Sequence, residues 1–256
     1  MTGKQFASAF LIVAMIGAGR ALGGDAEKPA PGATAGLPSA TEVFQKAASA
    51  VKAVKLYSYR AEYTAEGWVA EFVATASGTV RVGQQSDQGI ERFSCQVKIK
   101  PPKSEETLEF TAGSDGDNYF LVDPKTKMVY EDMDPGVLGS QSRNIRRVVM
   151  TELGVPEPFS KELKTEKIEV KGVVKVGEEE CFEVLTAPPN APELTWFIAK
   201  KDFLPRKLTR RIKNEKEEVG TTELTLSEFV ASPKDVKDPF KVSVPDGFKK
   251  TGDFAP

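Results

Sequence analysis

Apolar and polar side chains alternate along most of this chain. Tyr57, Tyr59, Ala61 and Tyr63 fall on every second position, with Ser58, Arg60, Glu62 and Thr64 between them. A period of two is what a strand with one buried face requires. Trp68, Ala70, Phe72 and Ala74 continue it, then Val80 and Val82, then Phe93, Cys95, Val97 and Ile99 against Arg92, Ser94, Gln96, Lys98 and Lys100. Pro101-Pro102 interrupts the run, and Leu108, Phe110 and Ala112 resume it. Further on, Ile168, Val170, Val174 and Val176 alternate, and compact apolar segments follow at 181–185, 194–199, 208–212 and 224–229. The pattern predicts about ten to twelve strands. Turn signals such as Ser114-Asp115-Gly116-Asp117 and Pro124-Lys125-Thr126 separate them, and connections this short favour antiparallel pairing.

Two segments change period. Val43, Ala47, Ala50, Val51 and Val54 recur at steps of three and four behind Ser39 or Thr41, which predicts a capped helix with one face to bury. Ile145, Val148, Val149 and Leu153 do the same within 140–154, leaving Arg143, Arg146 and Arg147 elsewhere on its surface, and Gly154 and Pro156 end it. The fold class is therefore mainly β of the α+β kind. Tyr57, Tyr59, Tyr63, Trp68, Phe72, Phe93, Phe110, Trp196 and Phe197 all fall in predicted strands. Such aromatics fill a core beneath helices laid on the sheet, or line a concave sheet that holds an apolar ligand; periodicity does not separate the two.

Composition narrows the chemistry. The 256 residues include 35 Lys and Arg against 37 Asp and Glu, a net charge of −2, and no histidine. Near-balance argues against a nucleic-acid partner, and the missing imidazole removes the commonest general base and the commonest metal ligand. No metal or cofactor is expected, and no catalytic residue is assigned. Ser49-x-x-Lys52, Ser114-Asp115-Gly116 and Lys250-Thr251-Gly252 mimic the ordered motifs of serine β-lactamases, but the second lacks its Asn and the first lies on a polar helix face. Asp115-Gly116-Asp117-Asn118 matches the start of a calcium loop, yet Thr126 stands where the closing Glu should be, so a tight turn is the better reading. Basic residues at Lys200, Lys201, Arg206, Lys207, Arg210 and Arg211 read as a solvated face balanced by acids. Cys95 and Cys181 are either a disulfide between the two halves of an exported chain or two buried free thiols.

Lys4 followed by the nearly all-apolar stretch 6–16 and small residues around 21–26 reads as a secretory signal. A stretch this short does not span a bilayer, so no integral membrane segment is expected in the mature chain. The expected organisation is a signal peptide at 1–26, a flexible Ala/Pro/Gly-rich leader at 27–38, one domain at 39–250 and a tail at 251–256. The expected location is the periplasm or otherwise outside the cell, after signal cleavage.

The order of short motifs resembles the LolA/LolB-like lipoprotein carrier family. Leu56-Tyr57-Ser58-Tyr59-Arg60-Ala61-Glu62-Tyr63 after the first helix resembles its opening, and Ser114-Asp115-Gly116 leading to Tyr119-Phe120-Leu121-Val122-Asp123-Pro124 resembles its hairpin. Trp196-Phe197-Ile198-Ala199, Phe203-Leu204-Pro205-Arg206-Lys207, Pro239-Phe240 and Val244-Pro245-Asp246-Gly247-Phe248 follow in the same order. The resemblance implies a single antiparallel curved sheet or half-barrel, its concave face covered by the N-terminal and mid-chain helices, and lipoprotein acyl chains or another apolar ligand as partner. Candidate cavity residues are then Tyr59, Tyr63, Phe72, Phe93, Val97, Leu108, Phe110, Trp196 and Ile198. Where the family has a strand ending in Arg-Pro, this chain has Lys100-Pro101-Pro102-Lys103, so no latch residue is carried over. The alternative on the same fold is a cell-envelope interaction or sensor module with an envelope protein as partner and no transported lipid.

Overall fold

The computed structural model describes residues 36–189, 191–234 and 237–256. The expected signal peptide and all but the last residues of the leader lie outside the described residues.

Ser39 caps helix α1 (Ala40–Lys52), its hydroxyl accepting the Glu42 N–H at 3.2 Å. Ala40, Val43, Phe44, Ala47 and Val51 form the buried face, while Glu42 and Lys46 pair across one exposed turn. The carbonyls at the other end find partners outside the helix: Val51 accepts from the Tyr57 hydroxyl at 3.0 Å, and Val54 from the Gln84 amide at 3.0 Å.

Among the described residues twelve strands follow: β1 (Leu56–Gly67), β2 (Thr75–Gly83), β3 (Arg92–Lys100), β4 (Leu108–Asp115), β5 (Tyr119–Asp123), β6 (Met128–Asp132), β7 (Ile168–Val176), β8 (Glu179–Thr186), β9 (Glu193–Ala199), β10 (Pro205–Lys213), β11 (Val219–Ala231) and β12 (Lys249–Thr251). They form one open, curved sheet in the order β12-β6-β5-β4-β3-β2-β1-β11-β10-β9-β8-β7. Every pairing is antiparallel except the short β12–β6 contact, which is parallel. Two meanders thus meet where β11 pairs with β1.

This topology dictates where the covering layer goes. β6 lies near one edge and β7 is the opposite edge, ten strand positions away. At a spacing of about 4.8 Å per strand, the connection between them has to cross one face of the sheet. Residues 133–167 make that crossing as short turns: 3-10 segments at Pro135–Gln141, Thr151–Leu153 and Glu162–Lys164, and one brief helix, α2 (Ser142–Arg146). The first part packs on β5, β6, β3 and β2, and the Glu162–Lys164 turn packs with α1, which also touches β7.

The single mid-chain helix expected over 140–154 is therefore broken. Gly139 stands at φ +54° between two helical turns, and Met150 leaves the helical region at ψ 89°, its N–H taken at 2.8 Å by the Tyr59 hydroxyl instead of a helical carbonyl. The strand expected from Trp68 to Ala74 is also absent. Gly67 turns the chain at φ +66°, in a place where a Cβ would run into the Val219 carbonyl, and Trp68–Glu71 form a 3-10 corner.

The opposite face of the sheet is more polar and is crossed by residues 237–248. Ser94 donates to the Pro239 carbonyl at 2.8 Å, Phe240 packs over Gly83, and Val242 and Phe248 cover Phe120, Val122 and Val129. Residues 251–256, set apart above as a tail, close onto the fold: Ala255 is buried, and its N–H donates to the Val137 carbonyl at 3.0 Å.

Candidate ligand-binding site

The concave face is apolar along its whole width. On β3 the burial alternates as the sequence predicted, with Phe93, Cys95, Val97 and Ile99 inward. Tyr57, Tyr59 and Ala61 from β1, Val80 and Val82 from β2, Trp196 and Ile198 from β9, and Leu224 and Leu226 from β11 join the same cluster. Against them the covering layer presents Phe44, Leu138, Ile145, Leu153 and Phe159, all fully buried. Phe159 is wedged between two other rings: it stacks on Phe44 at 5.4 Å and meets Trp196 edge-on at 5.1 Å. The interior is thus occupied by the cover's own side chains.

Of the candidate residues, Tyr59, Phe93, Val97, Trp196 and Ile198 are buried in this cluster, and Tyr63, Leu108 and Phe110 lie at its margin, partly buried. Phe72 does not join them. It is 71% exposed beside Trp68 on the 3-10 corner, because the turn at Gly67 carries it out of the sheet.

The disulfide does not form: Cys95 and Cys181 are both free and buried. They sit on β3 and β8, six strands apart, or roughly 29 Å along the sheet, whereas a disulfide needs Cα atoms within about 7 Å. Burial pushes the Cys95 thiol up to about 12 and the Cys181 thiol up to about 11, so both stay protonated at neutral pH and neither is a nucleophile.

The polar motifs resolve individually. Ser49 donates to the Gln45 carbonyl on the exposed side of α1, the buried Ser114 accepts from Gly116 on β4, and Lys250 pairs with Glu131 at the β12 edge. These three pieces lie on separate parts of the fold. The Asp115 carboxylate accepts the Asp117 and Asn118 N–H groups at 3.0 and 2.9 Å, which is an Asx turn. Most of the basic residues in the β9–β10 turn and on β10 are balanced by acids: Lys200 by Glu180, Lys201 by Glu179, Lys207 by Glu223 and Arg211 by Glu193. Arg206 departs from the solvated reading, being 2% exposed.

Besides the apolar packing, a small set of polar contacts joins cover to sheet. The Tyr59 hydroxyl both donates to the Val148 carbonyl at 3.3 Å and accepts from Met150 N–H at 2.8 Å. Arg146 reaches Glu91 at 2.5 Å, and Tyr119 donates to the same carboxylate at 3.4 Å. The Arg147 guanidinium lies 5.5 Å from the Tyr63 ring centre. Tyr59→Phe removes both of its contacts and leaves Met150 N–H buried without a partner, a loss of about 1–3 kcal/mol. The expected outcome is faster amide exchange at Met150 with the β1–β3 amides unaffected.

Farther along the cover, Glu152 accepts the Phe159 N–H at 2.6 Å. Burial, aided by the charge of Glu162, raises its pKa above the ordinary carboxylate value of 4.5, against that hydrogen bond. A carboxyl raised on folding contributes stability below its unfolded pKa and loses it as pH rises through the folded one. Glu152→Gln keeps an acceptor for Phe159 and removes the ionisation. It is expected to melt higher than the wild type above about pH 4.5, with the gap closing in acid.

Two open grooves flank the covered face. One, of about 450 Å³, is lined by Leu108, Phe110, Leu121, Pro124, Ala255 and Pro256. The other, of about 700 Å³, runs between α2 and the rim formed by Phe72, Ala74, Pro101 and Pro102. Among the described residues no group of three or more His, Cys, Asp or Glu side chains is placed to hold a metal ion, and no helix is long and apolar enough to cross a membrane.

No protein-family model matches the chain, and no curated protein matches it in sequence. Among solved structures it is similar to LprF from Mycobacterium bovis, at 16% identity and a TM-score of 0.44, covering 79% of this chain and 97% of that one. It is also similar to the lipoprotein LppX from Mycobacterium tuberculosis, at 14% identity and 0.46, covering 77% and 98%. A third similarity is to the MucA/MucB complex structure from Pseudomonas aeruginosa, at 11% identity and 0.42, where 80% of this chain matches 61% of the other.

Proposed function

We propose that this chain is an exported, non-catalytic binding or carrier protein that takes an apolar ligand, such as the acyl chains of a lipidated protein, between the concave face of its sheet and the cover. The observation that carries this reading is the asymmetry of the two layers. One is a continuous twelve-strand sheet with an apolar face. The other, α1 apart, is a run of brief turns fastened by a few polar contacts. An irregular layer of that kind lifts at lower free energy than the sheet unfolds, since opening it breaks few backbone hydrogen bonds. Ligand then replaces Leu153 and Phe159 against the sheet, apolar for apolar.

The ordered motifs that resemble LolA/LolB-like carriers, and the signal-like pattern over 1–26, support the same reading. A non-catalytic role is supported by the absence of histidine, the two protonated thiols and the scattered Ser and Lys motifs. The proposed domain spans 39–250, with residues 251–256 packed onto it through Ala255.

Native mass spectrometry of the chain purified from cell envelopes tests this directly. Adducts of lipid or acyl-chain mass are expected; a protein that stays empty and ignores fluorescent acyl probes would falsify the proposal. The filled interior favours one second reading, an envelope interaction module whose cover never lifts. In that case pull-downs recover a protein partner with no lipid.

A further inference from the structure

The groove beside α2 is unlike the rest of the surface. Arg143, Arg146 and Arg147 all line it, together with Ser140, Ser142 and Asn144. Arg146 is neutralised by Glu91. Arg143 and Arg147 have no carboxylate partner among the described residues.

Arg147 is also held in place. Its Nη1 donates to the Asn144 side-chain oxygen at 2.6 Å, and its guanidinium faces the Tyr63 ring. A partly buried guanidinium, fixed near a second one and lacking a counter-charge, is electrostatically unsatisfied. An oxyanion that accepts from both arginines resolves it, since the planar guanidinium fork matches phosphate and carboxylate geometry.

The other wall of the groove is apolar and leads inward. Phe72, which is exposed, Pro101 and Pro102 line it. Ala74, which also lines it, and Tyr63, whose ring Arg147 faces, both belong to or pack on the core of the concave face. The second groove, at Leu108 and Phe110, is different: its cation, Lys125, is already paired with Glu106. One end of the ligand path is therefore short of negative charge and the adjoining wall is greasy.

Resting on the carrier reading above, we propose that the Arg143–Arg147 groove receives the anionic headgroup of a lipid whose acyl chain passes beside Tyr63 under the cover. The ligand class is thus an anionic amphiphile.

Isothermal titration of the whole protein with lauroyl lysophosphatidic acid and with monolaurin, both kept monomeric, isolates the phosphate as the one chemical difference. The phosphate form is expected to bind about tenfold tighter or more, the gain of a charge-assisted contact. A double substitution, Arg143→Gln with Arg147→Gln, is expected to abolish the difference between the two lipids; because Arg147 also packs on Tyr63, the two affinities are compared within the variant itself.

Equal affinity for the two lipids in the native protein overturns the headgroup site and leaves the carrier reading standing. Failure of both lipids to bind overturns the two together. Inorganic phosphate binding as tightly as the lipid overturns the amphiphile in favour of a free anion. A poly-glutamate peptide that binds as tightly, and loses its affinity in the double variant, overturns it in favour of protein docking.

Discussion

Phe159→Ala is expected to lose about 3–5 kcal/mol in urea denaturation and, in the same protein, to bind a fluorescent acyl probe more tightly than the wild type. The ring is fully buried between Phe44 and Trp196, so its removal forfeits both contacts and leaves a void lined by apolar side chains. Voids of that kind stay dry and accept small apolar molecules. In the carrier reading this void is the start of the ligand path, vacated in advance. The backbone supplies an internal control: Phe159 stands at φ +59°, a region where Cβ strain is about 1–2 kcal/mol for an ordinary residue and absent for glycine. Phe159→Gly is therefore expected to be at least as stable as Phe159→Ala, reversing the usual order. Full loss of stability with no gain in probe binding would mean that the interior collapses around the missing ring, and the cover would then be a fixed part of the core.

Nothing periodic announces Phe159. It is a single aromatic in Pro156-Glu157-Pro158-Phe159, in a stretch without strand or helix pattern, and only its place in a crossing connection makes it a wedge. By contrast β1 and β3 were plain in the sequence, because a half-buried strand writes its two faces into alternate residues, and α1 was plain from its cap and its three- and four-residue steps. The chain departs from its periodicity where local pattern and tertiary contact disagree. Trp68, Ala70, Phe72 and Ala74 keep a strand's period, but Gly67 and Gly220 approach so closely at the end of the β1–β11 pair that a Cβ on Gly220 would meet Val69 at 2.6 Å, and the chain has to fold over as a corner. The 140–154 segment has a helix's period, but its N–H at Met150 is claimed by a sheet tyrosine 91 positions away in sequence. The arginines 143 and 147 were visible as a group; that they lack acids, while those at 200–211 mostly have them, required the structure.

The buried guanidinium of Arg206 is expected to be the other large contributor. Two irregularities in the sheet bring it inward: the β9–β10 register slips between Pro205 and Lys207, and the β1–β11 register slips opposite Tyr59, where Glu228 takes φ +50°. Bulges re-aim side chains, and here Arg206 comes to lie 4.3 Å from the Phe229 ring centre. Its donors are all engaged: Nε with Glu179 at 3.0 Å, Nη2 with Asp202 at 2.6 Å and with Glu179 at 3.0 Å, and Nη1 with the Leu204 and Pro205 carbonyls at 3.2 and 3.4 Å. Lysine cannot reproduce that fork. Arg206→Ala is expected to cost about 3–5 kcal/mol, because it strands the Asp202 carboxylate and two carbonyls and leaves Glu179 with Lys201 alone, and Arg206→Lys is expected to recover only part of it. Acid titration gives a second readout. Burial alone would raise Glu179, but Lys201 and Arg206 outweigh it and hold the carboxyl below the ordinary value of 4.5. A depressed carboxyl stabilises the fold above its unfolded pKa and loses that contribution as pH falls through the folded one, so the wild type should weaken below about pH 4.5 in a limb that flattens in Arg206→Ala. Phe229 also stacks on Tyr59 at 6.1 Å, the residue that clips the cover. Loss of Arg206 should therefore speed amide exchange at Met150 as well; if stability falls while Met150 stays protected, the arginine braces the sheet alone and has no hand in holding the cover closed.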